Sequence, residues 1–124
     1  MKILIVDDDL YILDVLESGL TDFGYEVVAA EDGEQAMCII ETSIEKAESV
    51  DLMVTDLNMP VKNGLELIRS AREVQPGLAA ILMTGARDNS IRKEVNKFRG
   101  CGYIYKPFKL KDIIKTIREL EPAV

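Results

Sequence analysis

The chain has 124 residues, 48% of them hydrophobic and 30% charged. That is enough for one domain with its own core and too little for two of ordinary size. Asp and Glu number 22 against 15 Lys and Arg, a net charge of −7. Nucleic-acid binding by this chain is disfavoured, because counterion release needs a surplus of basic groups, and so is attraction to an anionic membrane face. Histidine is absent, which excludes His-based catalytic triads, His-rich zinc sites and a phosphohistidine carried by the chain itself.

The opening MKILIVDDD holds an apolar run too brief for a secretory signal, and no run reaches the roughly 20 apolar residues of a membrane span. A cytoplasmic, soluble protein is expected. Cys38 and Cys101 stand far apart in no CxxC pattern and are expected to be small, largely apolar fillers with free thiols in a reducing compartment.

Short continuous apolar runs predict strands over Ile3–Val6, Tyr25–Ala29, Leu52–Thr55, Leu78–Met83 and Tyr103–Tyr105. Such runs suit parallel strands covered on both faces. Between them, apolar residues recur with the helical period. Leu10–Phe23 presents Leu13, Leu16 and Leu20; Glu34–Ala47 presents Met37, Ile40 and Ile44; Gly64–Val74 presents Leu65, Ile68 and Ala71 or Arg72. Ser90–Arg99 presents Ile91, Val95 and Phe98, and Leu110–Leu120 presents Ile113, Ile114 and Ile117. Gly24, Pro76-Gly77 and Gly100 fall where helices should stop. Alternating strand and helix demand crossover connections, hence one three-layer α/β domain over residues 1–124 with a parallel five-stranded sheet.

In an open parallel sheet, ligands bind outside the carboxyl ends of the strands. The first strand ends in Asp7-Asp8-Asp9, the third in Asp56, the fourth in Thr84-Gly85 and the fifth in Lys106-Pro107. Asp9 is expected to cap the following helix. Asp7 and Asp8 would then repel one another at a buried strand tip unless a cation sat there, and hard carboxylate oxygens suit Mg²⁺. Asp56 would add a third carboxylate. A divalent cation and the Lys106 ammonium would together neutralise all three. A carboxylate nucleophile, Mg²⁺, the Thr84 hydroxyl and an ammonium are the parts of a phosphoryl-transfer site.

These residues, in the segments KILIVDDD, VTDLNMPVKNGLELI, ILMTGA and GYIYKPF, resemble the receiver domain of two-component response regulators over nearly the whole chain. The resemblance implies a doubly wound (βα)5 flavodoxin-like fold with strand order 2-1-3-4-5. It also implies a phosphorylation-controlled signalling switch rather than an enzyme with a separate substrate. Asp56 would be the phosphoacceptor, supplied by a sensor histidine kinase or a histidine phosphotransfer protein. Asp7, Asp8, Asp56 and the backbone carbonyl of Asn58 would hold Mg²⁺. Thr84 and Lys106 would bind the phosphoryl group, and Lys106-Pro107 would be cis. Thr84 and Tyr103 would be the switch pair acting on the surface of the fourth helix, fifth strand and fifth helix. The chain would be a monomer or a phosphorylation-dependent homodimer, with no nucleic acid or membrane bound by this domain.

Two departures from the family pattern stand outside the pocket: a long Glu41–Val50 segment, and Arg99-Gly100-Cys101-Gly102 in place of the commoner Gly-Ala-rich turn. The small Ala86 is expected to leave a phosphoryl group unshielded and short-lived. A haloacid-dehalogenase-type phosphatase is the alternative enzyme class, but Asp7-Asp8-Asp9-Leu10-Tyr11 lacks the Thr of that motif. A pseudo-receiver would have lost one of Asp56, Asp8, Thr84 or Lys106. A flavodoxin-like cofactor protein would carry a Ser/Thr/Gly-rich loop after the first strand. Both a stand-alone regulator and the receiver portion of a longer transcriptional regulator remain open.

Overall fold

A computed structural model describes residues 1–85 and 89–121, with the backbone alone for 89–91. Strands and helices alternate: β1 (Lys2–Val6), α1 (Leu10–Asp22), β2 (Glu26–Ala30), α2 (Gly33–Glu45), β3 (Leu52–Asp56), then α3 (Gly64–Val74), β4 (Ala79–Thr84), α4 (Asn89–Asn96), β5 (Cys101–Tyr105) and α5 (Leu110–Leu120). The strands form one parallel sheet in the order β2-β1-β3-β4-β5. Chain order reverses between β1 and β3, so the carboxyl ends of these central strands open onto one crevice.

The sheet is covered on both faces, as its apolar strands require. Ile3, Ile5, Val54, Ile81 and Ile104 face α1 and α5. Leu4, Val6, Met53, Ala80 and Leu82 face α2, α3 and α4. Each fully buried aliphatic side chain contributes roughly 1.5–3 kcal/mol of transfer free energy. Gly102 lets α5 approach the edge strand, since a Cβ there would lie 2.7 Å from Thr116 Cγ2.

Helix ends follow local chemistry. Asp9 caps α1, its carboxylate accepting from the amides of Tyr11 and Ile12. Asn63 and Glu66 form a reciprocal capping box on α3. Gly24 and Gly100 take the left-handed conformation, with φ of 109° and 73°. α2 ends without such a glycine, and Ala47 accepts φ 57° instead.

Several sequence expectations need adjustment. Ile44 is 38% exposed, while Ser43 takes the buried position one residue earlier. Residues 36, 40 and 43 repeat at four and three, so in the last turn the buried stripe runs through Ser43 and leaves Ile44 beside it. Cys38 is exposed and not a core filler, while Cys101 is partly buried, and both thiols are free. β5 begins at Cys101, two residues earlier than its aromatic run suggests. Ala86 lies outside the described residues.

Candidate functional site

Three carboxylates meet at the carboxyl ends of β1 and β3. One oxygen each from Asp7, Asp8 and Asp56 lie within 4.8 Å of one another. Asp7 is 1% and Asp56 6% exposed, and Asp8 is exposed at the mouth. The backbone brings them there because β1 and β3 are in register up to Val6 and Thr55, so the next residue on each strand emerges on the same rim.

Lys106, just past the end of β5, reaches into this cluster. Its Nζ donates to Asp7 Oδ2 at 3.0 Å and lies 3.2 Å from Asp56 Oδ1. The Lys106 amide donates to the Thr84 carbonyl at 2.8 Å, which anchors the stem of the side chain to β4. The Lys106–Pro107 peptide is cis. Asp7 is held from the other side, since Oδ1 accepts from the Asp9 amide at 2.9 Å.

The electrostatics follow from this crowding. Burial, and then the Asp7 charge, push the Asp56 carboxyl above its usual range, with the Lys106 ammonium pulling the other way. Burial also disfavours the Lys106 ammonium, but the Asp7 hydrogen bond and the charges of Asp7 and Asp56 outweigh it. Its pKa therefore stands above the ordinary lysine value. Three carboxylates against one ammonium leave the cluster two negative charges in excess. Hard oxygen donors carrying that excess fit a divalent cation such as Mg²⁺.

Thr84 closes β4, fully buried, and pairs in register with Tyr105. Tyr103, partly buried, packs against the α2–α4 face of the core, and its ring meets that of Tyr105 edge-on at 4.9 Å. Asn58 is exposed in the loop two residues past Asp56. Sequence reasoning missed Gly64. A Cβ there would strike the Asp56 carbonyl oxygen and lie 2.9 Å from Leu82 Cδ1, so only glycine lets α3 begin against the end of β3. The Asn63-Gly64 pair, an N-cap followed by the smallest residue, was the available signal.

A family model for the response regulator receiver domain matches residues 3–118. The chain belongs to the response regulator receiver family. The receiver is 32% identical over 120 residues to the transcriptional regulatory protein CpxR of Klebsiella pneumoniae, covering 96% of this chain and 48% of CpxR. It is 32% identical over 124 residues to the transcriptional regulatory protein AruR of Pseudomonas aeruginosa, again with 96% and 48% coverage. The chain thus spans about half the length of the curated relatives it matches. Among solved structures, the chemotaxis protein CheY4 of Vibrio cholerae superposes with a TM-score of 0.87 at 27% identity, over 97% of this chain and 98% of that one. A CheY-like receiver domain protein of Methanospirillum hungatei gives a TM-score of 0.84 at 33% identity, with 95% and 90% covered. No helix among the described residues is long and apolar enough to cross a membrane.

Proposed function

We propose that residues 1–124 form one receiver domain that takes a phosphoryl group onto Asp56 and signals by the resulting change of surface. The donor is the phosphohistidine of a sensor kinase or of a histidine phosphotransfer protein. The observation that carries this reading is the pairing of the buried Asp56 carboxylate with two further carboxylates and one bridging ammonium. Such a cluster is costly to a protein that makes no use of it.

In the proposed transfer, an Asp56 oxygen attacks phosphorus in line with the bond to the imidazole nitrogen. The new oxygen–phosphorus bond forms as the nitrogen–phosphorus pair returns to the ring. Asp56 needs no general base, because it reacts as the carboxylate. Lys106 already touches an Asp56 oxygen and is placed to follow the added charge, and the Thr84 hydroxyl would hydrogen-bond a second phosphoryl oxygen. Asp7, Asp8, Asp56 and the Asn58 carbonyl would hold Mg²⁺, which when bound supplies positive charge to the phosphoryl oxygens.

Phosphorylation thereby favours the conformer in which Thr84 reaches the phosphoryl group, with Tyr103 moving into the space released. That population shift would reshape the face formed by α4, β5 and α5. Intact mass after incubation with acetyl phosphate tests the reading. One added phosphoryl group, requiring Mg²⁺ and lost in Asp56→Asn, is expected. Mass unchanged in the wild type with Mg²⁺ present, together with no Mg²⁺-dependent binding of beryllofluoride, would contradict it.

A further inference from the structure

The loop between β3 and α3 builds a second feature. Pro60, Val61 and Lys62 face the amino-terminal half of α2 across a groove of about 530 Å³. Its apolar lining comes from Met37, Pro60 and Val61, and its rim carries Glu34 and Glu41. Cys38 lines it as well, with an exposed thiol.

Val61 is the unusual residue. It is fully exposed and adopts φ 71°, a left-handed conformation that β-branched side chains strongly disfavour. The dihedral closes a tight turn, in which the Lys62 amide donates to the Pro60 carbonyl at 2.8 Å, but the large apolar side chain it holds out to solvent makes no contribution to the core. Such strain gathers where a segment is held for a ligand or partner.

Charge decides what kind of partner. The Lys62 ammonium is turned away to donate to Ser70 Oγ at 2.9 Å, and its stem lies against Gly33. Asp32, Glu34 and Glu41 then set the sign along the groove. α2 ends on the exposed Glu45, and the exposed Lys46 and Glu48 follow it, so the acidic excess there is small but of the same sign as the net charge of −7. We infer that this groove docks a segment of a partner protein whose apolar side chains are flanked by Lys or Arg. The apolar groups would seat on Met37, Pro60 and Val61 while the basic groups meet the glutamate rim. Asn58 shares the loop with Val61, and Asp56 ends the strand that leads into it, so the docked segment would sit close in sequence to the proposed phosphoryl-transfer site.

A short amphipathic peptide of leucine, alanine and lysine alone is the probe, and the alkylation rate of Cys38 under iodoacetamide is the readout, with Cys101 as internal reference. The peptide is expected to slow alkylation of Cys38 and leave Cys101 unchanged, while a glutamate-for-lysine counterpart does neither. Glu34→Gln/Glu41→Lys should weaken peptide binding on the order of tenfold. Asp14→Asn/Glu17→Gln, on an acidic and polar part of α1, should leave it unchanged. Val61→Gly should weaken binding while holding or raising Tm, because glycine takes positive φ freely. Equal losses from the α1 variant, or an unprotected Cys38, would overturn the inference. Protection of Cys38 that grows with protein concentration and no peptide would assign the groove to a second copy and overturn it too.

Discussion

Lys106 Nζ donates to Asp7 Oδ2 at 3.0 Å, joining residues 99 positions apart in sequence. The Lys106 side chain is 24% exposed and that of Asp7 1%, so the pair stands at the edge of the interior. Asp56 lies 3.2 Å from the same nitrogen. One lysine therefore offsets part of the repulsion between two buried carboxylates, and its removal should be felt in both folding and chemistry.

Lys106→Met keeps most of the stem volume and deletes the charge. Breaking a buried pair by removing one partner costs about 3–5 kcal/mol, and partial exposure of the ammonium places this case at or below the lower end. Urea unfolding without metal should show a lower midpoint with an unchanged slope. Mg²⁺ should restore more stability to the variant than to the wild type, because the cluster then has a larger charge excess.

Mg²⁺ should raise Tm by binding the folded state alone, worth about 2.7 kcal/mol at a hundredfold excess over Kd. Asp8 is exposed at the mouth of the cluster, so Asp8→Ala should fold normally and lose most of the gain. Thermal scans of both proteins across a magnesium titration check this. An undiminished gain in Asp8→Ala would remove Asp8 from the metal site.

Gly64→Ala should be disruptive for a single methyl group. The added Cβ meets the Asp56 carbonyl oxygen and the Leu82 side chain, and overpacking of this kind typically costs about 1–3 kcal/mol. Phosphorylation should slow as well, because the displaced backbone carries Asp56, the proposed acceptor. A loss of stability with an unchanged phosphorylation rate would show that α3 yields and Asp56 does not.

Tyr25 gives a pH dependence remote from the site. Its hydroxyl donates to a Glu121 oxygen at 2.8 Å. Burial, followed by that hydrogen bond and the Glu121 charge, raises its pKa above the ordinary 10.0. A raised folded-state pKa favours the protonated folded form. Its contribution is therefore complete below about pH 10 and is lost as pH rises through the folded value. Tyr25→Phe should lack this alkaline loss, and absorbance titration of the wild type should place the Tyr25 phenolate above the ordinary 10.0.

Much of this was legible in the sequence because the strands announce themselves as apolar runs and all but β2, which closes on Ala30, lead into a functional group. Asp7, Asp8, Asp56, Thr84 and Lys106 are all read from strand ends, and the sheet brings them to one rim. What escaped has a common physical origin in three-dimensional fit. The helical period gives a face only to within a residue, which is why Ile44 was expected where Ser43 is buried. Gly64 matters for a contact with a residue eight positions earlier, and Val61 for a backbone dihedral. Neither leaves a trace in hydrophobic pattern. The start of β5 at Cys101 was hidden because Gly102, a poor strand former, separates Cys101 from the aromatic run, and pairing with Ala80 and Ile81 holds both in the sheet.

The most direct test of the central claim is to locate the phosphoryl group chemically. After incubation with acetyl phosphate and Mg²⁺, borohydride reduces an acyl phosphate to the alcohol, and peptide mapping by mass spectrometry identifies the residue. The account predicts conversion at Asp56 alone, with Asp7 and Asp8 unmodified in the same digest. Conversion at Asp7 or Asp8, or at Asp56 without any need for Lys106 and Mg²⁺, would contradict it.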